Sequence, residues 1–520
     1  MPFRMLCGTG GLAAGVFFIA TVSSAQAAQT CESLTSLSLP NTTITLAQPV
    51  AAGAFTAPAT GRGRGGDPNA AFKNLPAFCR VAATIKPSSD SDIKMELWLP
   101  VSASPDGKGW NGKLEANGNG GYTGSITPGT LAAGVEHGFA AAMTDTGHEG
   151  GSASFAMGHP EKLIDFGYRA VHEMTVQSKA IINAYYGNTP KLSYWNGCSA
   201  GGRQALKEAQ RYPADFDGIV AGSPGINWTG RSTQAVWIAQ ANHKDQASTI
   251  PPAKFAAIHA AAIEACDGAD GLKDGIIEDP TRCKFDPAVI QCKGEESNAC
   301  LTAPQVETAR HIYASVINPR TKEELFPGHE PGSELGWNTM AGPSPMGLGL
   351  DLFRYIVFKN PDWDYKTFNF DSDWAASTKA DADVDALDPN LKAFIARGGK
   401  MVQYHGWADP QISPGSSVRY YTSVLDALGG ASKVTDSYRL FMVPGMAHCG
   451  GGEGTSTFDM LGAVEQWVEA KKAPDQILAS RTARDGKVDR TRPLCPYPQM
   501  AKYKGSGNID EAANFTCKAP

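Results

Sequence analysis

Ser199 sits in Gly197-Cys198-Ser199-Ala200-Gly201, a G-x-S-x-G pentapeptide. In a sharp strand-to-helix turn this pattern exposes a serine hydroxyl as a nucleophile for acyl transfer. The flanking glycines suit a turn with no room for Cβ atoms and with unusual dihedrals. A serine needs a base to take its proton, and the base needs a group to orient it. Downstream, Tyr404-His405-Gly406-Trp407-Ala408-Asp409-Pro410 offers Asp409, and Pro444-Gly445-Met446-Ala447-His448-Cys449 offers His448. The order Ser, Asp, His is the order of an α/β-hydrolase. The bland alternatives are a helix-capping serine, a turn aspartate before Pro410 and a satisfied loop histidine.

Such a serine must lie between a strand and a helix, and the local patterns supply both. Leu192–Trp195 reads as a strand, and 201–212 as a helix rich in Ala, Leu, Gln and Glu. Further strands are expected at Ile93–Pro100, from Lys113, at Phe139–Thr144, Gly218–Ala221, Lys400–Tyr404 and Arg439–Val443. Helical spacing marks Asp165–Tyr186 and Leu391–Arg397. Strands alternating with helices imply a parallel sheet, hence an α/β class. The rhythm breaks between about Ile226 and Asp388, where four cysteines, an acidic Gly-rich loop and many aromatics appear. The expected organisation is a leader at 1–27, a core in two parts (28–225 and 389–520) and an inserted lid at 226–388. The Gly-, Ala- and Pro-rich stretch Ala51–Ala71 reads as a surface loop.

Composition limits the function. The 520 residues are 42% hydrophobic and 19% charged, enough for a large core. With 46 Lys+Arg against 52 Asp+Glu the net charge is −6, which argues against nucleic acid as a partner. Arg4, the apolar run Leu12–Val22 and Ala25-Gln26-Ala27 read as a cleaved export signal, so a secreted or periplasmic location without a membrane anchor is expected. Ten cysteines remain after the leader, and no C-x-x-C pair occurs, so a disulfide framework is expected rather than a zinc cluster. Cys266–Cys283, Cys292–Cys300 and Cys495–Cys517 are the local pairs, and Cys31–Cys79 is expected beside them. If Ser199 and His448 are hydrogen-bonded, their neighbours Cys198 and Cys449 are forced to bridging distance.

At this point the chain resembles the tannase and feruloyl esterase family of serine esterases. The carriers are residues 197–203 (GCSAGGR), 217–225 (DGIVAGSPG), Tyr404-His405-Gly406 with Asp409, Pro444-Gly445-Met446 with His448-Cys449, and the tail 492–498 (RPLCPYP). The resemblance implies an α/β-hydrolase core with a lid, Ser199 as nucleophile, His448 as base, Asp409 as orienter and a Cys198–Cys449 bridge. An oxyanion hole needs the N–H after the nucleophile, Ala200, and a second donor from Asn117-Gly118-Asn119-Gly120-Gly121. Alignment to the family puts that donor at Gly121, with Gly120 the rival.

The family also carries a calcium site in the loop 266–276. The implied ligands are Asp267, Asp270 and Asp274 through side chains and Leu272 and Ile276 through carbonyls, in a structural role. Carboxylates spaced three and four apart among glycines suit a hard cation; the bland reading is a solvated acidic turn. No organic cofactor is expected. For substrate, Phe353, Tyr355, Phe358 and Trp363 are aromatic residues of the insertion that could wall an aromatic-acid pocket. His405 and Ile412 flank the Asp409 loop and the resemblance puts them near the substrate pocket, with Gln411 a polar neighbour and Gly120 a further substrate-binding candidate. No arginine lies between Gly342 and Leu350 to hold a substrate carboxylate, and Gly120 matches the ordinary esterase form. The expected substrate is a small hydroxycinnamoyl (feruloyl) ester, including esters on plant cell-wall polysaccharide. The alternatives are a galloyl ester (tannase), a terephthalate monoester and a non-catalytic hydrolase-fold binding protein.

Overall fold

The computed structural model describes residues 1–2, 29–57, 69–101 and 109–519. The expected leader, apart from its first two residues, and the middle of the 51–71 loop lie outside them. The strands are β1 (Thr42–Val50), β2 (Phe78–Ile85), β3 (Ile93–Pro100), β4 (Lys113–Asn117), β5 (Ala140–Thr144), β6 (Leu192–Cys198) and β7 (Gly218–Gly222). They continue with β8 (Val316–Ile317), β9 (Glu324–Phe326), β10 (Lys400–Gly406), β11 (Tyr438–Val443), β12 (Ile477–Thr482), β13 (Val488–Leu494), β14 (Met500–Tyr503) and β15 (Phe515–Lys518).

Nine strands form one sheet in the order β1-β2-β3-β5-β4-β6-β7-β10-β11. The pairs from β1 to β5 across β2 and β3 are antiparallel, and every pair from β5 onward is parallel. Strand side chains alternate between two cores, as the pleat requires. Trp195, Ile219, Met401 and Leu440 pack with the helices Ala170–Tyr186 and Ala200–Arg211. Tyr194, Val220, Val402 and Phe441 pack on the other face with Val464 and Trp467 of the helix Met460–Ala470. Helices on both faces explain why β7 is buried along its whole length. This mostly parallel, twice-covered sheet is an α/β-hydrolase fold.

Strand β6 runs three residues and β10 two residues beyond their expected ends, because parallel neighbours keep pairing there: Gly197 with Ala221, Cys198 with Gly222 and Gly406 with Val443. The expected helix 165–186 opens instead with a wide π turn at Asp165–Arg169. Arg203 draws the carbonyls of Gly167 and Phe166 out of the helical ladder, donating to them at 2.7 and 3.0 Å. Between β7 and β10 the chain adds no strand to the main sheet. Its two ends meet, since the Ala386 N–H donates to the Ile226 carbonyl at 2.8 Å. Inside this segment a third core gathers Trp228, Phe326, Leu350, Phe353 and Trp363, and it includes Ala200, next to Ser199.

Candidate active site

Ser199 lies between the end of β6 and the start of the helix at Ala200, with φ 64° and ψ −118°. A non-glycine residue held at positive φ is strained, and surrounding contacts must fix it. The Ser199 N–H donates to the Gly222 carbonyl at 2.9 Å, and the Ser199 carbonyl accepts from Arg203 and Gly225. Gly197 is required here, because a Cβ would stand 2.6 Å from the Gly201 carbonyl carbon.

Asp409 follows β10 and is fully buried. Its Oδ1 accepts the N–H groups of Gln411 at 2.8 Å and Ile412 at 3.0 Å. Its Oδ2 accepts Nδ1–H of His448 at 2.7 Å. Burial works against the charge on this carboxylate. The facing His448 and the hydrogen bonds from His405 and His448 outweigh burial and hold its pKa well below the usual range. With Nδ1 spent on Asp409, the proton-accepting nitrogen of His448 is Nε2. The Cys198–Cys449 bridge, with Cα atoms 6.0 Å apart, joins the neighbours of Ser199 and His448. Among the described residues the Ser199 hydroxyl makes no hydrogen bond within 3.5 Å. Such contacts often tighten only around substrate.

Ala200 is the first helical residue, so its N–H has no acceptor within the helix. The Gly121 N–H donates to no acceptor among the described residues. Gly121 adopts φ +54°, and a Cβ there would stand 2.7 Å from Cδ1 of Leu348. Leu348 belongs to the short helix Gly347–Asp351 of the inserted segment, which therefore covers the Gly121 loop. Gly120 is exposed and faces open space.

The other expected site residues divide. Phe353 is fully buried and packs on Trp363 and Phe368, with ring centroids 5.1 and 4.8 Å apart. Its ring is walled off, whereas Tyr355 and Phe358 are only half-buried at the edge of the same cluster. Ile412 is buried and Gln411 half-buried. His405, expected near the substrate pocket, is fully buried and both its ring nitrogens are spent. Its Nε2–H points at Asp409 Oδ2 and the Ile412 carbonyl, each at 3.1 Å, and the Ser417 hydroxyl donates to its Nδ1 at 2.7 Å. It contacts the carboxylate and leaves no nitrogen for a ligand.

Two contacts escaped sequence reasoning. Arg231, buried in the helix Trp228–Asn242, donates from Nε to the Gln411 carbonyl at 3.3 Å. His259 joins the inserted segment to the His448 loop, with Nδ1 at 2.9 Å from Glu334 and Nε2 at 2.6 Å from Glu453. Both link positions far apart in sequence, and no local spacing signals them.

In the acidic loop, Asp267 accepts the N–H groups of Asp274 at 3.1 Å and Gly275 at 3.0 Å. Asp270 accepts from Leu272 at 2.9 Å and Asp274 from Ile276 at 3.2 Å. The carbonyls of Leu272 and Ile276 accept no hydrogen bond among the described residues. Arg492 of β13 pairs with Asp274. The five expected disulfides are all present: Cys31–Cys79, Cys198–Cys449, Cys266–Cys283, Cys292–Cys300 and Cys495–Cys517.

Comparison with known proteins fits this site. The tannase and feruloyl esterase family model matches residues 79–518. An uncharacterized esterase of Xanthomonas campestris is 39% identical, covering 96% of this chain and 92% of its own. A protein of Aspergillus fumigatus named probable feruloyl esterase B-1 is 33% identical over 85% of each chain. The crystal structure of feruloyl esterase B from Aspergillus oryzae superposes with TM-score 0.86 at 31% identity, covering 95% of this chain and 100% of that one. Tannin acyl hydrolase from Aspergillus niger shares the fold, with TM-score 0.77 at 22% identity and 94% and 95% coverage. No helix among the described residues is long and apolar enough to cross a membrane. The chain belongs to the tannase and feruloyl esterase family and is a carboxylic-ester hydrolase.

Proposed function

We propose that the protein cleaves hydroxycinnamoyl esters through an acyl-enzyme on Ser199. The observation that carries this reading is the His448–Asp409 hydrogen bond at 2.7 Å, bridged covalently to the strained Ser199 turn. Ser199 Oγ attacks the ester carbonyl while His448 Nε2 takes its proton. The N–H groups of Ala200 and Gly121 hold the developing oxyanion. His448 then protonates the leaving alcohol, and a water, deprotonated by the same nitrogen, releases the acid. Asp409 stays ionised throughout and stabilises the imidazolium.

The inserted segment 226–388 acts as the lid of this site. Leu348 stands over Gly121, and Tyr355 and Phe358 offer flat apolar surface at the rim of the adjoining cluster. Flat aromatic walls suit a planar acyl group. The two relatives named feruloyl esterase, at 31 and 33% identity, support feruloyl over galloyl esters, since the tannin acyl hydrolase is only 22% identical. Five disulfides and the leader support export, and polysaccharide-borne feruloyl groups would then be within reach.

The acidic loop fits calcium in its donor set: three carboxylates and two unengaged carbonyls, all oxygen. Asp267, Asp270, Asp274, Leu272 and Ile276 would hold the ion, with Asp274 shared with Arg492. The ion would supply charge compensation to the loop and take no part in ester cleavage.

The test is hydrolysis of methyl ferulate, methyl gallate and mono(2-hydroxyethyl) terephthalate, with Ser199→Ala as control. Ferulate preference and an inactive control are expected. Preference for gallate or terephthalate would overturn the specificity, and activity in the control would overturn the nucleophile.

A further inference from the structure

A second polar cluster lies on the face of the sheet covered by the helices Ala170–Tyr186 and Ala200–Arg211, built by residues that ester cleavage does not use. His172 belongs to the helix Ala170–Tyr186, and Glu208 to the helix Ala200–Arg211. Asp215 follows in the turn leading to β7. The turn is fixed by its own hydrogen bonds, from Tyr212 to the Glu208 carbonyl at 2.8 Å and from Asp215 to the Tyr212 carbonyl at 2.9 Å. One ligand atom from each of the three side chains lies within 4.8 Å of the other two. His172 Nδ1 is 2.6 Å from Asp215 Oδ2, and the Tyr212 ring stacks on the imidazole at 3.7 Å and 7°, fixing its plane.

Glu208 is the unusual member. It is 1% exposed, and its Oε2 meets no hydrogen-bond donor among the described residues; the Asp215 carboxyl is the side chain within reach of it. A buried carboxylate beside a second carboxylate is costly unless a cation or a proton joins them. Lys179 is the cation nearest to hand, but its Nζ donates to the Asp215 backbone carbonyl. Nothing else positive reaches the Glu208 oxygens among the described residues.

We propose that His172, Glu208 and Asp215 form a site for a divalent transition-metal ion of the zinc type. One imidazole nitrogen and two carboxylate oxygens are a donor set that zinc accepts, with water in the fourth position. The side chains of His172 and Asp215 are 27% and 11% exposed, so the cluster opens to solvent on that side. An ion there would tie the two helices to the turn before β7. Its role is structural: it would brace, from the far end, the helix whose first residue follows Ser199.

The probe is Zn2+ itself, added to the full chain with calcium in excess so that the acidic loop is already filled. Equilibrium dialysis with elemental analysis should find one tightly held Zn2+ per wild-type chain. Thermal unfolding should shift upward with zinc, and Co2+ in its place should give the visible absorption of a low-coordinate site. His172→Gln keeps a side chain able to donate to Asp215, so it should remain folded while losing the zinc and the cobalt spectrum. Glu208→Gln should lose them too. No zinc above background, or equal zinc in the wild type and a folded His172→Gln, would overturn the site. An unfolding temperature raised by Glu208→Gln, with no zinc effect in the wild type, would also overturn it and assign a shared proton to the two carboxyls.

Discussion

His405 donates to the same oxygen of Asp409 that accepts from His448, at 3.1 rather than 2.7 Å. The carboxylate is thus fixed by two imidazoles and two backbone N–H groups, and in the proposed mechanism only His448 carries chemistry. Asp409→Asn should lower kcat by about 10^4 with little change in KM, because the amide imposes the wrong tautomer on His448. His405→Asn should cost less, roughly tenfold, and leave the pH profile in place, since the carboxylate keeps its charge. Steady-state rates on one ester check both. Equal losses in the two variants would contradict this division.

Gly121→Ala should be damaging through geometry alone. The residue adopts φ +54°, and the new methyl would meet Leu348 at 2.7 Å. Left-handed backbone costs a side chain about 1 kcal/mol, and a displaced oxyanion donor costs about 10^2-fold in kcat. Adding Leu348→Ala should recover part of the loss by making room. A double variant no better than the single would place the defect in the backbone angle rather than in the collision.

Breaking the bridge beside the nucleophile should affect stability and rate together. Cys198→Ser with Cys449→Ser frees two positions 251 residues apart. Losing a native disulfide typically costs about 2–5 kcal/mol. Thermal unfolding and kcat should both fall, and the Ser199 turn should lose its restraint. Unchanged kcat in the folded variant would show that backbone hydrogen bonds alone hold the turn.

The His259 ion pairs set a pH dependence. Burial disfavours the imidazolium, but the hydrogen bonds it donates to Glu334 and Glu453 prevail and raise its pKa to about 9. The unfolded value is about 6.5. A raised histidine pKa stabilises the fold fully below the unfolded value, and the benefit is lost as pH climbs from there through 9. The unfolding temperature should therefore decline between pH 7 and 9.5, and His259→Gln should flatten that decline. Parallel declines in the two proteins would refute the assignment. Glu453 lies five residues past His448, so the rate should follow the same limb.

Calcium removal should loosen the acidic loop. In the His172→Gln background, which excludes the zinc site, EDTA should lower the unfolding temperature, and adding Asp270→Asn should remove most of that response while leaving kcat on a small ester unchanged by the second substitution. An unaltered melt would leave the loop to its own hydrogen bonds and Arg492.

The alternation of strands and helices was legible because parallel strands buried on both faces leave short apolar runs between turns. The Ser199 turn was legible because its glycines answer to local crowding. The C-terminal strands β12 to β15 escaped notice: their residues alternate weakly, and their role is to pack Arg490 and Arg492 against Asp274, some 200 positions earlier. His405 was legible as a neighbour of Asp409 but not in its direction. The Ser417 hydroxyl, on a helix eleven residues away from the end of β10, and the Ile412 carbonyl hold the ring inward. Arg231 and His259 depend on how a segment folds back over the sheet, which no nearby residue encodes.

The longest of the five bridges also has a topological consequence. Cys198 and Cys449 enclose everything between them, so the whole stretch that covers the site is a closed covalent ring with both ends fastened at the catalytic turn. A protease that nicks this ring at an exposed point releases nothing: the two fragments stay joined until a reductant arrives. After limited proteolysis, clipped molecules would migrate as one species on a non-reducing gel and as two after reduction, with Ser199 and His448 still tethered to each other.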